Sequence, residues 1–277
     1  MMNKFLILLI PYFIFAQNNN WIKIHDEREY SVSGIARFNN GYLVVHDNKR
    51  KNQARVSHIN DELKITKLIW PETLLPFDLE AIAALPNKSN HFILMESTGK
   101  CYEIIIDPTD FRIVLISTFT LRGITARMNL EGLTIYNSGQ GLVFIYGDRG
   151  SDSRNSTLFV SFFDYNKKRF FQINTFKYDL PIPNNNKRNI ADLFLKDDGT
   201  LWTAATSDPG NNGPFSSAIY ELGEINHSGK FEPTHPELLK PIIVYDNQKV
   251  EALMFYEDNL VMMTDNENLG ATFKMSK

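Results

Sequence analysis

A short phrase recurs five times along this 277-residue chain and leaves few folds open to it. It is clearest as Asn129-Leu130-Glu131-Gly132-Leu133-Thr134-Ile135, and it returns as Asp78-Leu79-Glu80-Ala81-Ile82-Ala83-Ala84 and as Lys249-Val250-Glu251-Ala252-Leu253-Met254-Phe255. Weaker copies are Val32-Ser33-Gly34-Ile35-Ala36-Arg37-Phe38 and Ile190-Ala191-Asp192-Leu193-Phe194-Leu195. Aligned on the first polar or small residue, the copies begin at 33, 80, 131, 191 and 251, at intervals of 47, 51, 60 and 60. Periods of this size mark an array in which each unit buries its apolar face against its neighbours.

Every copy continues in the same order. The phrase opens a small apolar strand, a polar turn follows, and a second apolar strand runs into an acid: Asp47, Glu96, Asp148, Asp208 and Asp265. A third strand then alternates polar with apolar residues. Fourth strands are predicted at 63–70, 111–118, 170–178 and 242–245. The last copy lacks a fourth strand, while 21–24 supplies a spare one before the first copy, so the two chain ends close a ring. The fold class is all-β: a β-propeller of five four-stranded blades, the radial answer to exposed sheet edges. Six blades are the alternative, if the stretches near 165–190 and 223–248 hide a divergent unit.

With 43% hydrophobic and 12% aromatic residues the chain has ample material for one large β domain, expected over 17–277. A net charge of −3 with no dominant basic face argues against nucleic acid as a partner. Cys101 is the one cysteine, so no internal disulfide forms, and its place in an alternating strand suggests a buried, inert thiol. Residues 1–16 read as an export signal: Lys4 precedes an apolar run ending at Phe15, and Ala16 before Gln17 offers a cleavage point. That run is too short to span a bilayer comfortably. A secreted or periplasmic monomer without a membrane span is therefore expected.

Propeller geometry places Ser33, Glu80, Glu131, Ala191 and Glu251 around the mouth of the channel, with the five acidic turns outside them. Cations crowd the same face: Arg127, Lys187, Arg188 and Lys249 on the entering loops, and Lys49, Arg50, Lys100, Arg149 and Arg154 on the outer turns. Three carboxylates converging on one axis cannot all stay ionised unaided. A cation lies between them, or some are protonated, or basic neighbours such as Arg127, Arg188 or Lys249 pair with them. Hard oxygen ligands without a His or Cys cluster suit Ca²⁺, with Ser33, Glu80, Glu131 and Glu251 as its ligands. Asp192 is expected on the opposite side of its strand from Ala191.

The order Ser33, Glu80, Glu131, a small residue at 191, then Glu251 resembles the central calcium ring of the secreted five-bladed calcium-activated nucleotidases (apyrases). The phrases Ser33-Gly34-Ile35-Ala36, Leu130-Glu131-Gly132-Leu133 and Val250-Glu251-Ala252-Leu253 with Thr264-Asp265-Asn266-Glu267-Asn268 are similar to those of bacterial phytase-like and esterase-like propellers. Ala191 departs from the nucleotidase ring.

A metal bordered by carboxylates and bases would clamp a phosphoryl oxygen and activate water. In that scheme Asp148 or Asp265 orients the water and Arg149 or Lys249 neutralises the charge of a small-molecule phosphate or ester. The competing classes are a non-enzymatic propeller binding a protein or glycan around a structural ion, and a sugar-lactonase-like hydrolase. The bland reading of each outer acid is a solvated turn residue, and for Asp47 and Asp208 that reading leads. The six histidines show no zinc spacing, and no nucleophile elbow or P-loop is present. Asn87, Asn155 and Asn226 head glycosylation acceptors that matter in a eukaryotic secretory route.

Overall fold

The second strand of each unit is apolar at nearly every position because both of its faces are buried. Tyr42 and Val44 pack toward the last blade, whereas Leu43 and Val45, one residue out of phase, pack toward the second. The computed structural model describes residues 20–277, which form five antiparallel sheets. The predicted export signal lies outside the described residues.

Strand β1 (Ile22–His25) precedes the first blade, which consists of β2 (Gly34–Arg37), β3 (Gly41–Val45), β4 (Val56–Asn60) and β5 (Ile65–Lys67). The second blade is β6 (Leu79–Ala84), β7 (His91–Glu96), β8 (Lys100–Ile106) and β9 (Ile113–Thr120). The third is β10 (Leu130–Ser138), β11 (Gly141–Asp148), β12 (Ser156–Asp164) and β13 (Arg169–Tyr178). In the fourth, β14 (Lys187–Leu195), β15 (Thr200–Ser207) and β16 (Ser216–Ile225) lead to an outer edge shared by β17 (Phe231–Pro233) and β18 (Ile243–Asp246). The former pairs with the C-terminal end of β16 and the latter with its N-terminal end. The fifth blade is β19 (Val250–Tyr256), β20 (Asn259–Thr264) and β21 (Ala271–Ser276), completed by β1 through the pairs Ile22↔Phe273 and Lys23↔Thr272.

Five blades and closure by the two chain ends therefore hold. The split edge of the fourth blade takes up the long 223–248 interval, and β13 takes up much of 165–190, so no sixth sheet forms among the described residues. The inner strands β2, β6, β10, β14 and β19 touch in succession around the axis. One apolar cluster fills each of the five junctions between blades, which makes the ring a chain of equivalent seams. Below the mouth the axis is walled by Ile35, Ile82, Leu133, Leu193 and Met254 around a cavity of about 250 Å³. Arg37 and Thr134 add polar groups to the lining of this cavity.

Cys101 is fully buried, and burial pushes its thiol well above the ordinary range, as expected of an inert packing residue. His46 is likewise buried, contacting the Ser31 carbonyl at 2.6 Å and Ser57 Oγ at 2.8 Å. No helix among the described residues is long and apolar enough to cross a membrane.

Candidate functional site: the charged mouth of the channel

The repeated phrase has a backbone cause. In β6, β10 and β19 the ladder to the second strand skips one residue, between Leu79 and Ala81, Leu130 and Gly132, and Val250 and Ala252. The skipped residues are Glu80, Glu131 and Glu251, and a bulge is the device that re-aims a side chain out of the alternation. In β14 the gap runs from Arg188 to Asp192 and takes in Ala191. In four of the five copies the residue after the hub position is glycine or alanine, and at the two glycines the next inner strand abuts it. A Cβ on Gly34 would lie 2.9 Å from the Ala81 Cα, and one on Gly132 would lie 2.6 Å from the Leu193 Cγ. An acid followed by glycine or alanine is what the narrowest part of the ring requires.

Three cations bind the resulting acids into a network. Arg188 Nη1 donates to Glu131 Oε1 and to Glu251 Oε1, each at 3.0 Å, while its Nη2 contacts Asp208. Arg149 Nη1 reaches the same Glu131 oxygen at 2.9 Å from the outer side. Lys249, only 1% exposed at its side chain, lies 2.7 Å from Glu267, 2.9 Å from Asp265, 3.2 Å from Glu251 and 3.4 Å from Asp208. Burial works against the ammonium charge, but Asp265, Glu251 and Glu267 outweigh it and hold the group well above the ordinary lysine range. Burial likewise opposes ionisation of Asp208, yet Lys249 and Arg188 keep its carboxyl low. Of the bases named from sequence as partners for the glutamates, Arg188 and Lys249 serve; Arg127 is exposed and forms no ion pair among the described residues.

Most of the acidic turns hold backbone. Glu96 accepts the Phe77 N–H at 2.9 Å and Asp148 the Asn129 N–H at 3.0 Å, so each fixes the loop entering the inner strand of its own blade. Asp148 is fully buried and gripped by both terminal nitrogens of Arg154. Asp265 accepts the Glu267 N–H at 2.9 Å as well as the Lys249 ammonium. Of the four residues given catalytic work from sequence, Asp148, Asp265 and Lys249 are therefore locked in buried pairs, and Arg149 alone is open to solvent, at 32%. Asp192 does leave the axis: it accepts the Leu193 N–H at 2.8 Å and the Leu253 N–H at 2.7 Å, stapling β14 to β19.

Two acids stand apart. Asp47 and Glu80 accept no hydrogen bond and form no ion pair among the described residues, although Glu80 is only 7% exposed. Burial, followed by the charges of Glu131, Asp78 and Asp47, pushes the Glu80 carboxyl well above its ordinary range. Burial and the nearby Asp265 push Asp47 up to about 7 against the pull of Lys249. Beside them Asp78 adopts a left-handed backbone (φ 61°), accepts from Ser97 Oγ at 2.7 Å and pairs with Lys49 at 2.9 Å. Strained non-glycine residues of this kind gather at functional sites. Asp47, read from sequence as a solvated turn residue, is half-buried, and the bases near it in sequence are engaged elsewhere: Lys49 pairs with Asp78, and Arg55 donates to the Pro76, Gln53 and Arg50 carbonyls.

The quasi-symmetry does bring Glu80, Glu131 and Glu251 to one hub, but their surroundings fit a guanidinium better than a resident divalent ion. Arg188 already bridges two of the three, and no group of three Asp, Glu, His or Cys side chains among the described residues has metal-holding geometry. The Ser33 Oγ and the second Glu131 oxygen are buried without a partner, so ligand atoms are present while the place among them is shared with Arg188.

No protein-family model and no curated protein matches the sequence. Solved structures do. An exo-1,5-α-L-arabinanase from a bovine ruminal metagenomic library aligns with a TM-score of 0.55 at 10% identity, over 88% of this chain and 92% of that one. The Cellvibrio cellulosa α-L-arabinanase complexed with arabinohexaose aligns with a TM-score of 0.54 at 10% identity, over 88% and 91%. A putative 6-phosphogluconolactonase from Bacteroides uniformis follows at 0.39 and 12%, over 82% and 62%. Likeness at this identity shows a shared fold alone. The chain is an all-β, five-bladed β-propeller whose mouth carries a charged hub.

Proposed function

We propose that the mouth of the channel is a hydrolytic site for phosphate or related esters, with Asp47 and Glu80 as its proton-handling pair. The observation that carries this reading is the unequal pairing of the ring. Asp78, Glu96, Glu131, Asp148, Asp208, Glu251, Asp265 and Glu267 all have cationic or hydrogen-bonding partners, whereas Asp47 and Glu80 have none. Partnerless carboxyls at a protein mouth stabilise nothing, and such perturbed groups concentrate where chemistry is done.

Asp47, titrating near 7, is suited to take a proton from water and return it to the leaving oxygen at neutral pH. Glu80, held protonated, donates a hydrogen bond to the oxygen on which negative charge develops. Lys49 and Arg149, exposed at 52% and 32%, offer charge-assisted hydrogen bonds to an anionic substrate entering from solvent. With residues 1–16 read as an export signal, this work would take place outside the cytoplasm.

Release of product from an aryl phosphate, an aryl ester and ATP tests the reading across about pH 5 to 9, the range in which such a group changes charge. Turnover should rise through about pH 7 and fall by roughly 10²-fold or more in Asp47→Asn and Glu80→Gln, with circular dichroism unchanged. If the native chain turns over none of the three, hydrolysis of these esters is refuted. The dense ion-pair lattice around Arg188 and Lys249 would then favour the second reading, a non-enzymatic propeller holding a protein or glycan on this face.

A further inference from the structure

The axis changes character along its length. Acids and their bases fill the mouth, but the next ring of side chains down the five inner strands is apolar and walls the cavity of about 250 Å³. Two residues further on, where alternation returns the same strand face to the axis, stand Arg37, Ala84, Ile135, Leu195 and Tyr256. Among the described residues that line the cavity, Arg37 carries the only charge. Its guanidinium carbon lies 4.3 Å from the ring centroid of Tyr256 and 5.1 Å from that of Tyr42, and its Nη1 meets Asp61 at 3.4 Å. Ala84 is exposed, so this end of the cavity opens on the face opposite the charged mouth.

We propose that this far end of the channel binds a short aliphatic carboxylate, with its tail in the apolar lumen and its head on Arg37. Apolar walls give water too few partners to settle there, and an apolar cavity of roughly 150 Å³ takes a molecule the size of benzene. In proportion, a cavity of about 250 Å³ accepts a chain of about eight to ten carbons. Arg188, spanning Glu131 and Glu251 at the mouth end, limits how deep a tail can reach. At the open end the planar guanidinium of Arg37 presents paired donors that match a carboxylate. Stacking on Tyr256 and Tyr42 occupies the faces of that plane and leaves the donors at its edge for a head group. The contact with Asp61 is long and Asp61 is 62% exposed, so an incoming carboxylate replaces a weak pair.

Calorimetric titration of the native chain with butanoate, hexanoate, octanoate and octan-1-ol decides the matter. Affinity should rise about fourfold for each methylene added up to octanoate, because each buries more tail surface. Octan-1-ol should bind roughly tenfold more weakly than octanoate, for want of a charged acceptor. Arg37→Ala should bring octanoate down to the level of the alcohol and leave the alcohol unchanged. Ala84→Trp, at an exposed position where a large side chain does not disturb folding, should plug the opening and abolish binding of both. Circular dichroism verifies the fold of each variant, and either variant decides alone if the other does not fold. No saturable binding by the native chain overturns the proposal, as does equal affinity for the three acids, which would mean a surface ion pair only. Octanoate binding unaltered by Arg37→Ala or by Ala84→Trp overturns it too.

Discussion

The two sides of the channel mouth are built from one backbone plan and differ in how they treat charge. On the side of the fourth and fifth blades every acid is matched: Arg188 and Lys249 between them engage Glu131, Asp208, Glu251, Asp265 and Glu267. On the side of the first and second blades Lys49 meets only Asp78, and burial, with the charge of Glu131 on Glu80 and of Asp265 on Asp47, holds both carboxyls above their ordinary range. The bulge that aims an acid at the axis is common to Glu80 and Glu251, so backbone geometry does not separate them. What separates them is whether a neighbouring loop brings a long basic side chain. Ion pairs tie the matched half together, and in the function proposed above the unmatched half is where protons are exchanged.

The comparison breaks most visibly at Lys249. Its replacement by alanine leaves the buried Asp265 without a cation and takes one of two cations from Asp208, Glu251 and Glu267, and loss of one partner from such a cluster costs on the order of 3–5 kcal/mol. Urea unfolding at neutral pH should show that loss; a change under 1 kcal/mol, about the value of an exposed pair, would mean that ion pairs do not hold the matched half together.

A smaller effect, of opposite sign, is expected at Asp47. Its folded-state pKa of about 7 lies above the ordinary aspartate value, so its contribution to stability is complete below that ordinary value and is lost as pH rises through about 7. Asp47→Asn should therefore be more stable than the native chain by roughly 1 kcal/mol near pH 8, a figure reduced for partial exposure, and indistinguishable near pH 4. Asp265 runs the other way. Against its burial, Lys249 holds its carboxyl low, so that its contribution is present above the ordinary aspartate range and is lost on acidification. Denaturation midpoints measured at both pH values check the contrast; an Asp47→Asn gain that is the same at both would remove the titration from the explanation.

Arg149→Ala should have the smallest effect on stability, about 0.5–1 kcal/mol, because the side chain is partly exposed and Arg188 still covers Glu131. Its larger consequence should be a raised KM for an anionic ester with kcat little changed, read from initial rates.

Much of this was legible in the chain before any coordinates. The copies beginning at 33, 80, 131, 191 and 251 carry both the acid and the small residue that follows it, since no larger side chain fits beside the next inner strand at Gly34 or Gly132. The spare strand near Trp21 and the short last unit announced the closure. The split outer edge of the fourth blade was half visible: β18 was anticipated, while β17 is three residues long, too short for alternation to register. The acidic turns were misread for a related reason. Asp208 looks like a solvated turn residue and Asp148 like a group that could orient water from their neighbours in sequence, and only the structure shows Asp208 buried against Arg188 and Lys249 and Asp148 capping Asn129.

By itself, then, the sequence determined the number of blades, their strand order and the convergence of three glutamates, because period and side-chain alternation are local properties that any ring of such units must obey. The tertiary structure alone decided which acid meets which base: Arg188 crosses to Glu131, 57 residues away, and to Glu251, 63 residues away. Arg127, equally basic and nearer in sequence to Glu131, stays in solvent. Pairing across blades depends on reach, rotamer and burial in space, and none of these is written in the spacing of residues along a chain.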